Sequence, residues 1–286
     1  MQNAILNEKR LAEAQAGWAA PTPPSPGGQV WAPPTSPAGA PAAPVTDGPV
    51  STWSGAMTVG GTIKRTGFLF VLLLAAAVAG WRAVPAPEVD PLTNTISYGF
   101  PGIALVGVAI GFVAVILLMF KPQLAKYVAP VYAIGQGFAV GAISAYYEQL
   151  WNGIVLQAAG ATLGVFAVML LLYQTRIIKV TEKFRRVVVL ATIGVMAFYL
   201  VSFVFALFGA DITFLREPSL LGIGFSILVA GLAALNLTLD FDFIERGTKA
   251  GLAKDFEWYA GFGLLVTIVW LYLELLRLFA LLQGRD

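Results

Sequence analysis

The sequence predicts an all-α polytopic membrane protein, a bundle of about seven transmembrane helices, on three observations. Of 286 residues, 58% are hydrophobic and only 12% charged, about half the charge density of a soluble domain, and the mean hydropathy is +0.77. The apolar residues arrive in uncharged runs of roughly twenty, the length a helix needs to cross bilayer hydrocarbon. Lys and Arg gather in alternate loops, the pattern of a chain that threads back and forth across a membrane.

The first sixty residues differ in kind. Pro21, Pro23, Pro24, Pro26, Pro33, Pro34, Pro37, Pro41, Pro44 and Pro49 are spread among Ala, Gly, Ser and Thr, and such a stretch buries no core. Residues 1–60 are therefore expected to be a disordered cytoplasmic tail rich in Pro, Ala and Gly, and residues 61–286 a seven-helix transmembrane domain. The opening MQNAILNEKRLAEAQAGW lacks the continuous apolar stretch of a secretory signal, so retention is expected. With only Lys9 and Arg10 as basic residues, the tail reads as a solvated tether rather than a docking segment.

The expected spans follow in order: Gly67 to Val84, Tyr98 to Phe120, Ala129 to Tyr147, Ile154 to Tyr173, Val187 to Phe208, Ser219 to Leu239 and Trp258 to Leu282. Six spans and a re-entrant segment would satisfy the same hydropathy. On one side fall Lys64, Arg65, Lys121, Lys126, Arg176, Lys179, Lys183, Arg185, Arg186, Arg246, Lys249 and Lys254; the other has Arg82, Arg216, Arg277 and Arg285. The positive-inside rule then puts the N-terminus in the cytoplasm, and the odd span count puts the C-terminus outside. The expected location is the cell inner (plasma) membrane, crossed several times, with the lipid bilayer as principal partner.

Within the bundle, Gly107 with Gly111, Gly137 with Gly141, and Gly160 with Gly164 form GxxxG pairs in the second, third and fourth spans. Such pairs let helix backbones approach closely; the same glycines would also serve as hinges. Pro130 falls at the start of the third span, where the first turn tolerates it.

An ionisable side chain inside a span costs about 2.5–3.5 kcal/mol on insertion scales, so each needs a partner, water or a role. The sixth span ends in NLTLDFDFIERG, where Asp240 and Asp242 lie about 200° apart around a helix and face different ways. In the seventh, Glu274 has Arg277 at i+3, a spacing that permits an ion pair. Gly263, Thr267, Trp270 and Glu274 form a stripe along one side of that helix, suited to lining a polar path. Glu148, between the third and fourth spans, reads either as a solvated loop residue or as a group at the outer mouth.

Several of these segments resemble one family. LDFDFIERG, then DFEWYAGFGLLVTIVWLYLELLRLFALL, together with VYAIGQGFAVGAISAYYE and IVLQAAGATLGVFAVMLLLY, are similar to the Bax inhibitor/YccA family, also called the transmembrane BAX inhibitor motif family. The likeness covers roughly residues 56–282, and the Pro-rich tail resembles the actinobacterial-type branch. The resemblance implies a pH-sensitive cation leak channel, chiefly for calcium, governed by an Asp ending the sixth helix and an Asp in the seventh. Asp240 matches the first; the second falls at or next to Thr267, which is uncharged. MTVGGTIKRTG carries Gly60 and Gly61 where the branch commonly has an acidic pair. Members of the YccA-like branch also lack the second Asp, and some are described as modulators of a membrane-bound quality-control protease.

The expected function is a passive cation path, with calcium as the ion and Asp240, Glu274, Thr267 and Asp242 as the residues of the path or its pH sensing. Hard cations take oxygen ligands, which these side chains and backbone carbonyls supply. The alternative is a non-conducting protein that binds a membrane-protein partner, with RIIKVTEKFRR as its surface. That loop also suits topology and anionic lipid. No enzyme is expected: without Cys or His there is no thiolate or imidazole chemistry, and an intramembrane aspartyl protease needs Asp residues facing each other from two helices. No cofactor and no nucleic-acid partner is expected; a specific metal site is not defined by the sequence.

Overall fold

A computed structural model of the protein describes residues 55–89, 96–97, 99, 101–208 and 218–284. The expected tail up to residue 54 lies outside them, as do Arg216 and Arg285. Among the described residues, seven helices are long and apolar enough to cross a membrane. They are α1 (Val59–Arg82), α2 (Ile103–Phe120), α3 (Ala125–Leu150), α4 (Ile154–Gln174), α5 (Glu182–Leu207), α6 (Leu220–Lys249) and α7 (Phe256–Gln283). Between α1 and α2, β1 (Glu88–Val89) pairs antiparallel with β2 (Ile96–Ser97).

Hydropathy located every span, but helix ends follow hydrogen bonding rather than bilayer thickness. α1 begins at Val59, eight residues before the expected Gly67, because the Thr58 hydroxyl accepts from the Gly61 N–H at 2.9 Å and starts the ladder early. α6 runs ten residues past Leu239, carrying Asp240, Asp242, Glu245 and Arg246 on continuous helix. α3 begins at Ala125 after a 3₁₀ turn at Pro122–Leu124, so Pro130 sits in its second turn rather than its first. There it leaves the carbonyl four residues earlier without its usual donor.

Helix α7 is the hub, packing against α1, α3, α4 and α6. Within the spans, 61% of α7 is buried, against 11% of α5, which packs chiefly on α6. The outward faces of the outer helices carry apolar side chains such as Val71, Val113, Leu163 and Leu190, the surface a bilayer solvates.

Two of the three glycine pairs are packing surfaces. A Cβ on Gly137 would stand 2.4 Å from the Leu73 carbonyl oxygen, and one on Gly141 1.9 Å from that of Ala77, so α1 and α3 touch backbone to backbone. Across the other face of α3, a Cβ on Gly107 would stand 2.3 Å from the Gly135 oxygen. Gly160 and Gly164 are different: nothing lies within 4 Å of a Cβ at either. The inward positions of α4 are Ala158, Thr162, Met169 and Tyr173, and its glycines fall on the other side.

Glu148 belongs to the last turn of α3 and caps the next helix, accepting from the Gly153 N–H at 2.6 Å and the Val155 N–H at 3.1 Å. Gly153 makes the corner at φ +81°, a conformation glycine enters without penalty.

Candidate functional site

Asp240, Ser226, Thr267, Trp270 and Glu274 gather where α6 meets α7. Near the end of α6, two carboxylates two residues apart point to different neighbours, as 100° per residue requires. Asp242 is buried at 7% exposure and faces α5: Arg185 Nη2 donates to its Oδ2 at 2.6 Å, and Arg246 Nε donates to its Oδ1 at 2.9 Å. A carboxylate held by two guanidinium groups is a structural clamp.

Asp240 faces α7. A Cβ added at Gly263 would be 3.5 Å from its Oδ1, an ordinary contact distance, so the carboxylate lies against this face of α7. Thr267 lies beside the same carboxylate, its hydroxyl donating to the Gly263 carbonyl at 3.1 Å. Asp240 Oδ2 is buried and has no hydrogen-bond partner among the described residues. Buried oxygens are nearly always satisfied in folded proteins, so an unpartnered one marks a place for water or an ion.

One turn beyond Thr267, the Trp270 Nε1 donor is also buried with no partner among the described residues. Then comes Glu274, 4% exposed, accepting from Tyr199 Oη on α5 and Ser226 Oγ on α6, each at 2.9 Å. Arg277 lies 3.4 Å from Glu274 at the expected i+3 spacing, donates to Tyr199 Oη at 2.5 Å, and stacks 5.7 Å from the rings of Tyr199 and Phe225. Its Nε and Nη2 are buried with no hydrogen-bond partner among the described residues.

The structure thus brings Asp240, Gly263 and Thr267 together and joins them to Glu274 along one helix face. It sets Asp242 apart, against α5. From Gly263 to Glu274 is eleven residues, about 16 Å of helix, so the two acids stand apart along the seam. Among the described residues no three acidic side chains converge as a metal cage.

Sequence reasoning missed a further buried acid. Glu257, in the first turn of α7, is fully buried. It accepts from the Thr58 N–H at 2.9 Å and the Thr58 hydroxyl at 3.0 Å, and it pairs with Arg65 of α1. A Cβ on Gly61 would collide with its carboxylate, which explains glycine where the resemblance leads one to look for an acid. The backbone strengthens the tie: Met57 N–H donates to the Leu252 oxygen at 2.7 Å and Lys254 N–H to the Gly55 oxygen at 3.2 Å. Tyr199 and Ser226 were missed too. A hydroxyl in an apolar run gives no sign of which distant helix it will meet.

At the same end of the bundle, Glu245 bonds Arg176 at 2.6 Å and Lys249 at 2.5 Å. The hydrogen bond that Arg176, just past α4, donates to Glu245 raises its pKa above the ordinary guanidinium value.

A family model described as Bax inhibitor 1 like matches residues 3–284, beyond the expected 56–282 at both ends. No curated protein matches the chain.

Proposed function

Because the chain belongs to the Bax inhibitor 1 like family, we propose that it lets cations, calcium foremost, leak passively along the polar seam between α6 and α7, under control of pH. It would do so in the plasma membrane with the N-terminus in the cytoplasm, the side favoured by the basic loops. The observation that carries this reading is Asp240: a carboxylate at the basic end of the bundle, turned into the α6–α7 seam, with one oxygen that has no hydrogen-bond partner among the described residues. Thr267 and Glu274 continue the oxygens along α7, the ligand type that calcium prefers. Among the acids of α6 and α7, Asp242, Glu257 and Glu274 are held by arginine or by several donors. Asp240 is held by neither, so protonation there removes a charge without breaking an ion pair. That makes it the candidate sensor, acting through the fit of α6 on α7.

Calcium flux into liposomes holding the purified protein, measured at pH 6 and pH 8, tests the proposal. Wild type should conduct with several-fold different rates at the two values, and Asp240→Asn should remove most of that difference. Glu274→Gln should mainly weaken entry from the far side. Absent wild-type flux, or a pH response untouched by Asp240→Asn, would sink it.

A second reading rests on one observation. Arg277 and Tyr199 close around Glu274 and occupy the far end of the seam with a tethered cation. A sealed seam fits a non-conducting protein that restrains a membrane partner such as a quality-control protease. Flux equal to protein-free liposomes in every variant selects it.

A further inference from the structure

Between α5 and α6 an open groove of about 830 Å³ faces outward, its walls almost wholly apolar. Val187, Gly194 and Phe198 line it from α5, and Phe225, Gly231 and Leu235 from α6. At the basic end of the bundle a second pocket of about 550 Å³ is lined by Arg176, Lys179, Arg246 and Lys249, against the carboxylates of Asp242 and Glu245. Four cations facing two anions leave a surplus of two positive charges. The two concavities share a stripe of α6: Gly231, Leu235, Asp242 and Arg246 fall within about 60° of one another around the helix. The apolar part runs roughly 15 Å, from Phe225 to Leu235, and the charged part begins about 10 Å further on at Asp242. An apolar slot in the membrane that ends in a basic pocket beyond the end of α4 has the shape and polarity of a phospholipid.

We propose that this face of α5 and α6 is a binding site for a single anionic phospholipid, its phosphate in the basic pocket and an acyl chain in the apolar groove. The occupant follows from charge and solvent together. A chain of seven membrane-spanning helices presents an outward apolar groove to acyl chains, and the positive surplus selects an anionic headgroup. One detail shows the pocket has a cation to offer: Lys179, which lines it, makes no ion pair among the described residues. The groove is cut by glycines: nothing lies within 4 Å of a Cβ at Gly194 or Gly231. α5, the least buried helix, gains most from a lipid laid along it. The inference is independent of conduction.

The test uses the full-length protein in detergent, with native mass spectrometry and thermal unfolding. The probes are phosphatidylglycerol, phosphatidylcholine with the same acyl chains, and inorganic phosphate. One phosphatidylglycerol should stay bound per chain and raise the melting temperature, with phosphatidylcholine clearly weaker and phosphate alone without effect. Lys179→Gln should weaken phosphatidylglycerol about fivefold, the share of one basic residue at a membrane surface, and leave phosphatidylcholine unchanged. Gly231→Leu, and separately Gly194→Leu, should fill the slot and weaken both lipids while the lipid-free melting temperature stays level or rises. Equal binding of the two lipids overturns the proposal, as does retention unaffected by Lys179→Gln and by both glycine variants. A shift produced by phosphate alone as large as that from phosphatidylglycerol would reassign the pocket to a soluble anion.

Discussion

The α1–α3 seam and the α6–α7 seam solve the same problem in opposite ways. Lipid gives helices no hydrophobic reason to associate, so each seam depends on contact and hydrogen bonding. Between α1 and α3 the side chains are removed: Gly137 and Gly141 lie against carbonyls of α1, and Leu69, Leu73 and Val140 are among the apolar residues packed around them. Between α6 and α7 polar groups are kept, among them Asp240, Thr267, Trp270, Ser226 and Glu274, and two of their buried atoms have no partner. The first seam is shut by shape. The second is closed only as far as its hydrogen bonds allow, and only there would an ion find oxygens.

The largest expected effect tests the tight seam. Gly141→Leu sets a side chain where a Cβ alone would be 1.9 Å from a backbone oxygen, and backbone cannot swing aside. Overpacking of this kind costs about 3 kcal/mol or more, so detergent extraction should recover little folded protein. Normal recovery and melting would show that α1 and α3 are not locked.

Next comes the link from α1 to α7. Arg65→Met leaves the Glu257 carboxylate buried without its cation, a loss of roughly 3 kcal/mol that thermal unfolding should register. Replacing both residues together, as Arg65→Met with Glu257→Leu, should recover part of the loss, since the unpaired charge is then gone. A double variant no better than the single one would mean the pair itself carries the stability.

The open seam should be insensitive by comparison. Asp240 Oδ2 has no donor to lose, so Asp240→Asn should shift stability by about 1 kcal/mol or less while changing the pH response of flux. A large drop in melting temperature would reveal a structural partner for Asp240. Smallest of all is Gly160→Leu, whose side chain meets open space; the expected shift is within about 0.5 kcal/mol. Similar losses from Gly160→Leu and Gly141→Leu would erase the distinction drawn between packed and unpacked glycine pairs.

Much of this was legible in the sequence, and the exceptions share a cause. Uncharged runs marked seven spans because bilayer thickness imposes their length. The divergence of Asp240 from Asp242, and the alignment of Gly263, Thr267, Trp270 and Glu274, followed from helical geometry alone. What escaped was pairing between distant helices. Gly160 and Gly164 have the spacing of a packing motif, yet spacing specifies a face and says nothing of what stands opposite. Glu257 gives no sign of burial in the sequence, because only the docking of Gly55–Thr58 beside Leu252–Lys254 makes it a buried acid. Glu274 was visible as half of an ion pair with Arg277, whereas its shorter bonds, to Tyr199 and Ser226, come from helices 75 and 48 residues away in sequence.

The bond between Thr58 and Glu257 spans 199 positions of the chain, and that separation sets an order in time. A ribosome adding roughly 5–20 residues per second takes about 10 to 40 seconds to travel from one to the other. Throughout that interval α1 is already made and Arg65 has no carboxylate to meet. The helix that leads the body of the bundle can pack on α3 early, through Gly137 and Gly141, but its tie to α7 is among the last to form. A nascent chain halted anywhere before the start of α7 carries Arg65 without the carboxylate that pairs it in the finished bundle.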